Sequence, residues 1–157
     1  MGFVTVETVI SKNKTFTMEI ESAGLYQINC SLCKILAFPD KVLKVSVADG
    51  ILLVLTEDRD FRDGSDHAPI LKDNRQINNI DAYDWQGNHL WNIGELVGDI
   101  KIQFDWLNHI SARDIKKHYG VRCARSDSLY ACIAEGFVYI IDAKKQLLLT
   151  KISGQIR

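Results

Sequence analysis

No stretch of this sequence stays apolar for long enough to cross a bilayer as a helix. The longest runs, Ile51 to Leu55 and Phe137 to Ile141, fall far short of the roughly 20 residues that such a span requires. A membrane is therefore not expected as a partner. The stretch Met1-Gly2-Phe3-Val4-Thr5-Val6-Glu7 lacks basic residues followed by an unbroken apolar segment, and Glu7 interrupts the place where a secretory core would run. Export by a signal peptide is not expected, and the chain reads as soluble and cytoplasmic. An excess of one charge is lacking too. Lys and Arg number 19 against 20 Asp and Glu, a formal net charge of −1, which leaves no broad basic face of the kind that nucleic acid selects. Nucleic acid is not expected as a partner. No Gly-rich phosphate loop and no G-x-S-x-G nucleophile turn occurs.

Cysteine is sparse, at Cys30, Cys33, Cys123 and Cys132. The pair Cys30-Ser-Leu-Cys33 has the spacing of half a zinc site or of a redox dithiol. A zinc site wants a second close pair, which Cys123 and Cys132 are too far apart to supply, and a redox dithiol wants a helix start where Lys34 to Phe38 reads as strand. All four are expected to be reduced thiols. Asp58, Asp60, Asp63 and Asp66 invite a calcium site, but the EF-hand register fails. Counting from Asp58, Arg62 falls at the fifth place, Asp63 where the turn glycine belongs, and no Glu at the twelfth. No metal ligand, cofactor or catalytic residue is nominated. The histidines are His67, His89, His109 and His118. Asp114 and His118, four apart, are expected to form a surface ion pair.

What is present is a succession of short segments rich in β-branched and aromatic residues, separated by Gly, Asp, Asn and Lys. This is the pattern of an all-β chain of antiparallel strands, arranged as a compact sandwich, an irregular barrel or a truncated propeller-like sheet stack. Strands are expected near 3–10, 15–20, 25–29, 33–38, 42–48, 51–56, 79–84, 89–93, 100–105, 129–134, 137–142 and 146–152. One short helix is expected near 112–118, opened by Ser111 with Asp114 three residues on and closed by Gly120. The length of 157 residues suits a single domain.

A hairpin recurs. Leu43 to Leu55 aligns without gaps on Leu129 to Ile141, with Asp49-Gly50 above Glu135-Gly136 at the turn. Asn79-Ile-Asp-Ala-Tyr-Asp84-Trp-Gln-Gly87-Asn-His-Leu-Trp91 is followed later by Val138-Tyr-Ile-Ile-Asp142-Ala-Lys-Lys-Gln-Leu-Leu-Leu149. These stretches, within about Leu43 to Ile93 and Leu129 to Ile152, resemble the blade repeat of pyrroloquinoline-quinone-type β-propellers. There a strand ends in Asp, a Gly turn follows and a Trp closes the outer strand. Lys145 stands near the glycine place of the second stretch and Leu149 in place of the Trp. A closed propeller usually has four to eight blades of about 40 residues, so the resemblance implies blade-like pieces and no quinone site.

Between Glu57 and Ile77 the second strand of the first hairpin is followed by a long charged segment, whereas the later copy turns back at once. Loops this long in compact domains usually serve function or remain without structure. The expectation is a non-enzymatic protein-binding module of the inhibitor, immunity-protein or adaptor type. Its contacts would be Asp58, Asp60, Phe61, Arg62, Asp63, Asp66 and His67. Of the central aromatics Tyr83, Trp85, Trp91, Phe104 and Trp106, those not packed in the core would suit an interface. Two alternatives stand beside it. One is an enzyme or ligand-binding protein using Asp105, His109, Asp114 and His118, and the other is a structural fragment of a larger β assembly.

Overall fold

A computed structural model describes residues 3–11, 14–21, 26–30, 35–38, 42–57, 78–84, 86–98 and 102–153, with side chains from Val42 onward. The chain is all-β, and its described residues form three antiparallel four-stranded sheets, each made of four consecutive strands. The first holds β1 (Phe3–Ser11), β2 (Lys14–Glu21), β3 (Tyr26–Cys30) and β4 (Ile35–Phe38). The second holds β5 (Val42–Ala48), β6 (Ile51–Thr56), β7 (Ile80–Tyr83) and β8 (His89–Asn92). The third holds β9 (Trp106–His109), β10 (Leu129–Ala134), β11 (Phe137–Asp142) and β12 (Leu147–Ser153). Two helices appear among the described residues, α1 (Ile93–Val97) and α2 (Ala112–Tyr119). Neither is long and apolar enough to cross a membrane.

The apolar runs are continuous rather than alternating because the middle and last sheets are covered on both faces. In β10, Tyr130, Cys132 and Ala134 point into a core shared with Leu53, Leu55, Ile80, Ala82 and Trp91 of the second sheet. Leu129 and Ala131 point the other way, into a second core closed by Ile115 of α2. Leu52 and Val54 of β6, facing away from the shared core, are also buried. The first strands lie side by side, β1 by β5 and β5 by β9. Across the second of these seams Ser46 and the Tyr130 hydroxyl are hydrogen-bonded at 2.9 Å. Burial pushes the Tyr130 phenol up to about 12, against the opposing effect of that bond.

The two aligned hairpins turn alike, with Asp49 and Gly50 at φ 52° and 77° and Glu135 and Gly136 at φ 52° and 81°. Two successive left-handed residues make the turn that matches strand twist, and glycine takes the second place at no steric cost. Their places in the sheets differ, however. β5 and β6 are the first and second strands of their sheet, whereas β10 and β11 are the second and third. The alignment of Leu43 on Leu129 is therefore not the structural repeat. Asp84 and Asp142 do hold corresponding places: Asp84 directly follows β7 and Asp142 ends β11, each the third strand of its sheet. Asp84 Oδ1 accepts from the N–H groups of Gln86 and Asn88, each at 2.9 Å. Asp142 Oδ1 accepts from the Ser128 hydroxyl at 2.7 Å and the Lys145 N–H at 3.2 Å. Burial raises the Asp142 carboxyl, and these bonds outweigh it and hold the group below its usual range.

Several expectations are corrected. The left-handed residue of the β11–β12 turn is Gln146, at φ 56°, and not Lys145. Leu149 does not replace the Trp, because Trp91 is buried whereas Leu149 is exposed at an irregularity in the β11–β12 register. Residues 102–105 are not a strand, and the ladder begins at Trp106 opposite Ile133. The strand expected to reach Ile93 stops at Asn92, which caps the start of an unexpected helix. The Asn92 side chain accepts from the Gly94 N–H at 2.9 Å, while Glu95 Oε2 accepts from the Asn92 N–H at 2.8 Å. For α2, the Ser111 hydroxyl accepts from the Asp114 N–H and Gly120 is left-handed, as its sequence implied. Cys123 and Cys132 are free thiols, while Cys33 lies outside the described residues.

Candidate functional site

The charged segment leaves β6 after Thr56 and returns at Asn78. Its foot is closed by a bond from the Thr56 N–H to the Asn79 carbonyl at 2.9 Å. The buried Asn79 side chain then acts in two directions. Nδ2 donates to the carbonyls of Thr56 at 2.7 Å and Phe104 at 2.8 Å, and Oδ1 accepts from the Phe104 N–H at 2.7 Å. Asn78 Oδ1 accepts from the Ile102 N–H at 2.8 Å. The backbone of 102–104 thus takes its partners from two asparagine side chains instead of a neighbouring strand, which is why it reads as strand in sequence and is none in structure. The Asp105 N–H then donates to the Ile133 carbonyl at 2.9 Å, so β9 starts against β10.

This foot defines one end of the sheets, and exposed apolar side chains gather there. Val42 lies opposite Thr56, Trp106 opposite Ile133 and Phe137 opposite Ala134. Leu43, next to Val42, is 45% exposed, and Trp106 and Phe137 are each 39% exposed. Lys151 Nζ sits 4.3 Å from the centroid of the Phe137 ring. Of the central aromatics, Trp91 and Phe104 are core and Trp106 is the exposed remainder, with Tyr83 between these extremes. Trp85 lies outside the described residues, as do Asp58, Asp60, Phe61, Arg62, Asp63, Asp66 and His67.

No hydrogen bond or ion pair joins two members of the alternative acid–base set among the described residues. Asp105, His109, Asp114 and His118 are all exposed. His109 Nε2 lies 2.8 Å from the Asp127 carbonyl, with its ring against Tyr130. Asp114 and His118 form no ion pair, contrary to their spacing; His118 instead packs edge-on to the adjacent Tyr119. Among the described residues no group of three or more His, Cys, Asp or Glu side chains could hold a metal ion. The Cys132 thiol, fully buried, is pushed up by desolvation and is a poor nucleophile.

A different pair is formed. His89 Nε2 and Asp81 Oδ1 are 2.9 Å apart, and the same oxygen accepts from Asn92 Nδ2 at 3.0 Å. Asn92 Nδ2 also reaches the Asn78 carbonyl at 2.9 Å, so the pair is tied to the foot of the segment. The hydrogen bond to Asp81 raises the His89 imidazole above its ordinary 6.5, against burial, with the Asp81 and Glu95 charges adding to the rise. Among the described residues no Ser, Thr or Cys side chain is bonded to His89. A raised histidine stabilises the fold fully below its unfolded value, and that contribution is lost as pH rises through the folded value. The His89 ring protons should therefore titrate by NMR with a midpoint above 6.5 in wild type, and Asp81→Asn should lower it. An unchanged midpoint in the variant would contradict the pairing.

The fold and this end together define an all-β protein with three four-stranded meanders and a clamped, partly apolar rim. No family model, no curated protein and no solved structure matches the chain.

Proposed function

We propose that the protein is a non-enzymatic protein-binding module of the inhibitor, immunity-protein or adaptor kind. It binds at the rim, with the 57–77 segment as its charged contact and Leu43, Trp106 and Phe137 as apolar anchors. The observation that carries this is the coincidence of place: three of the five exposed large hydrophobic side chains among the described residues lie at the end of the sheets where that segment is rooted. Aromatic anchors beside a charged rim are the usual composition of a protein interface. A cytosolic setting suits the free Cys123 and Cys132 thiols.

Because Thr56 and Asn79 already meet, residues 58–77 can be replaced by a short Asn-Gly turn without moving β6 or β7. The tagged wild-type chain is expected to recover a partner from cells that make it, and the shortened chain to recover none while still unfolding cooperatively. Undiminished recovery would remove the segment from the interface. A second proposal, part of a larger blade-like β assembly, is supported by the side-by-side first strands β1, β5 and β9. It requires oligomers in solution, and a strictly monomeric mass by light scattering would eliminate it.

A further inference from the structure

A second surface lies away from the rim. From Arg113 to Arg125 the chain carries Arg113, Lys116, Lys117, Arg122 and Arg125 against the one carboxylate of Asp114, in a protein of net charge −1. All five cations are exposed, and among the described residues none of their side chains makes an ion pair or hydrogen bond. Ala112, Ile115 and Tyr119 pack α2 onto the outer core of the third sheet, and Arg113, Lys116 and Lys117 follow one another along one exposed flank of the helix, with Lys116 one turn beyond Ala112. Val121 and Cys123 continue that packing, and Arg122 between them points outward. The three helical charges thus line about 6 Å of one flank, and the exposed Arg122 and Arg125 follow on the chain directly after the helix.

Helix stability does not account for them. Lys116 and Lys117 lie in the last turn, where the helix dipole favours cations. Arg113 lies in the first turn, where a cation is disfavoured, and Arg122 and Arg125 lie beyond the helix. Like charges three and four residues apart also repel.

We infer that this surface binds an acidic segment of a partner protein, whose carboxylates pair with Arg113, Lys116, Lys117, Arg122 and Arg125. An anionic membrane fits less well, because none of the exposed large hydrophobic residues lies on α2 or on the stretch after it, leaving nothing to insert. Nucleic acid fits less well too. No exposed Phe, Tyr or Trp accompanies the cations as a stacking platform, and a long polyanion would run from this short patch onto a remainder that is net acidic. The inference rests on the protein-binding proposal for the class of partner only.

The test measures fluorescence anisotropy of a labelled peptide of repeated Glu-Ala-Ala-Glu units, with a short DNA duplex and phosphatidylserine vesicles as competing probes. The full-length chain is expected to bind the peptide at low salt and to lose affinity as salt rises. The double substitution Lys116→Glu with Lys117→Glu should weaken binding on the order of tenfold or more. The charge-matched pair Lys144→Glu with Lys145→Glu should leave it unchanged. The chain with residues 58–77 replaced should bind the peptide as wild type does, which separates this surface from the rim. The inference is overturned by absent peptide binding, by equal losses in the two charge-reversed proteins, or by tighter binding of the duplex or the vesicles than of the peptide.

Discussion

Asn79→Ala is expected to destabilise the protein by about 3–5 kcal/mol, the largest effect of any single polar truncation in the fold. The substitution removes bonds of 2.7 and 2.8 Å to the carbonyls of Thr56 and Phe104 and one of 2.7 Å from the Phe104 N–H. The two Phe104 groups are buried, and a buried backbone group left without a partner costs about 1–3 kcal/mol. For a chain of this length the midpoint of thermal unfolding should fall on the order of 10 °C. Asn79→Asp separates shape from chemistry. It keeps an acceptor for the Phe104 N–H but turns a carboxylate oxygen toward two carbonyls, so it should be at least as damaging as alanine. Urea denaturation of the three proteins provides the comparison. A loss below about 1 kcal/mol for Asn79→Ala would mean that 102–105 is held by something other than this side chain.

Trp91→Ala should cost about 3–5 kcal/mol, the usual range for emptying a large aromatic site in a packed core. Trp91 is 1% exposed in the core shared by the second and third sheets. Its indole N–H donates to the Ala143 carbonyl at 3.2 Å, joining the outer strand of one sheet to the last turn of the other. Trp91→Phe keeps much of the ring and leaves that carbonyl without this donor, so it should cost about 1–2 kcal/mol. Equal losses for phenylalanine and alanine would put the cross-sheet bond ahead of packing. A phenylalanine variant as stable as wild type would show that water replaces the indole.

The all-β class was legible because strand length, β-branched content and turn residues agree along most of the chain, and the paired left-handed turns at Asp49-Gly50 and Glu135-Gly136 appear where acidic-Gly dipeptides stand. Arrangement into three sheets was not legible. Two hairpins with like turns aligned well, yet they occupy different places in their sheets, since local turn chemistry does not encode which strand comes next in space. Of the strand expected at 100–105, the described residues 102–105 are not strand for a tertiary reason: Asn78 and Asn79, more than twenty residues away, supply the hydrogen bonds. The helix at Ile93–Val97 did leave a signal, the cap spacing Asn92-x-x-Glu95, hidden beneath an apolar run that suits a strand equally well. Of the candidate site, Trp106 among the aromatics was foreseen in kind, while Leu43, Phe137 and the Asp81–His89 pair emerge only from register. Asp81 and His89 lie on neighbouring strands, and only the β7–β8 pairing sets their side chains together.

The central claim, that the rim around Trp106 is where a partner docks, is tested most directly by site-specific photo-crosslinking. A benzophenone amino acid at position 106 should yield a covalent adduct with the recovered partner, while the same group at exposed position 147, just after the β11–β12 turn, should yield none. No adduct from position 106, or equal adducts from both positions, would contradict it.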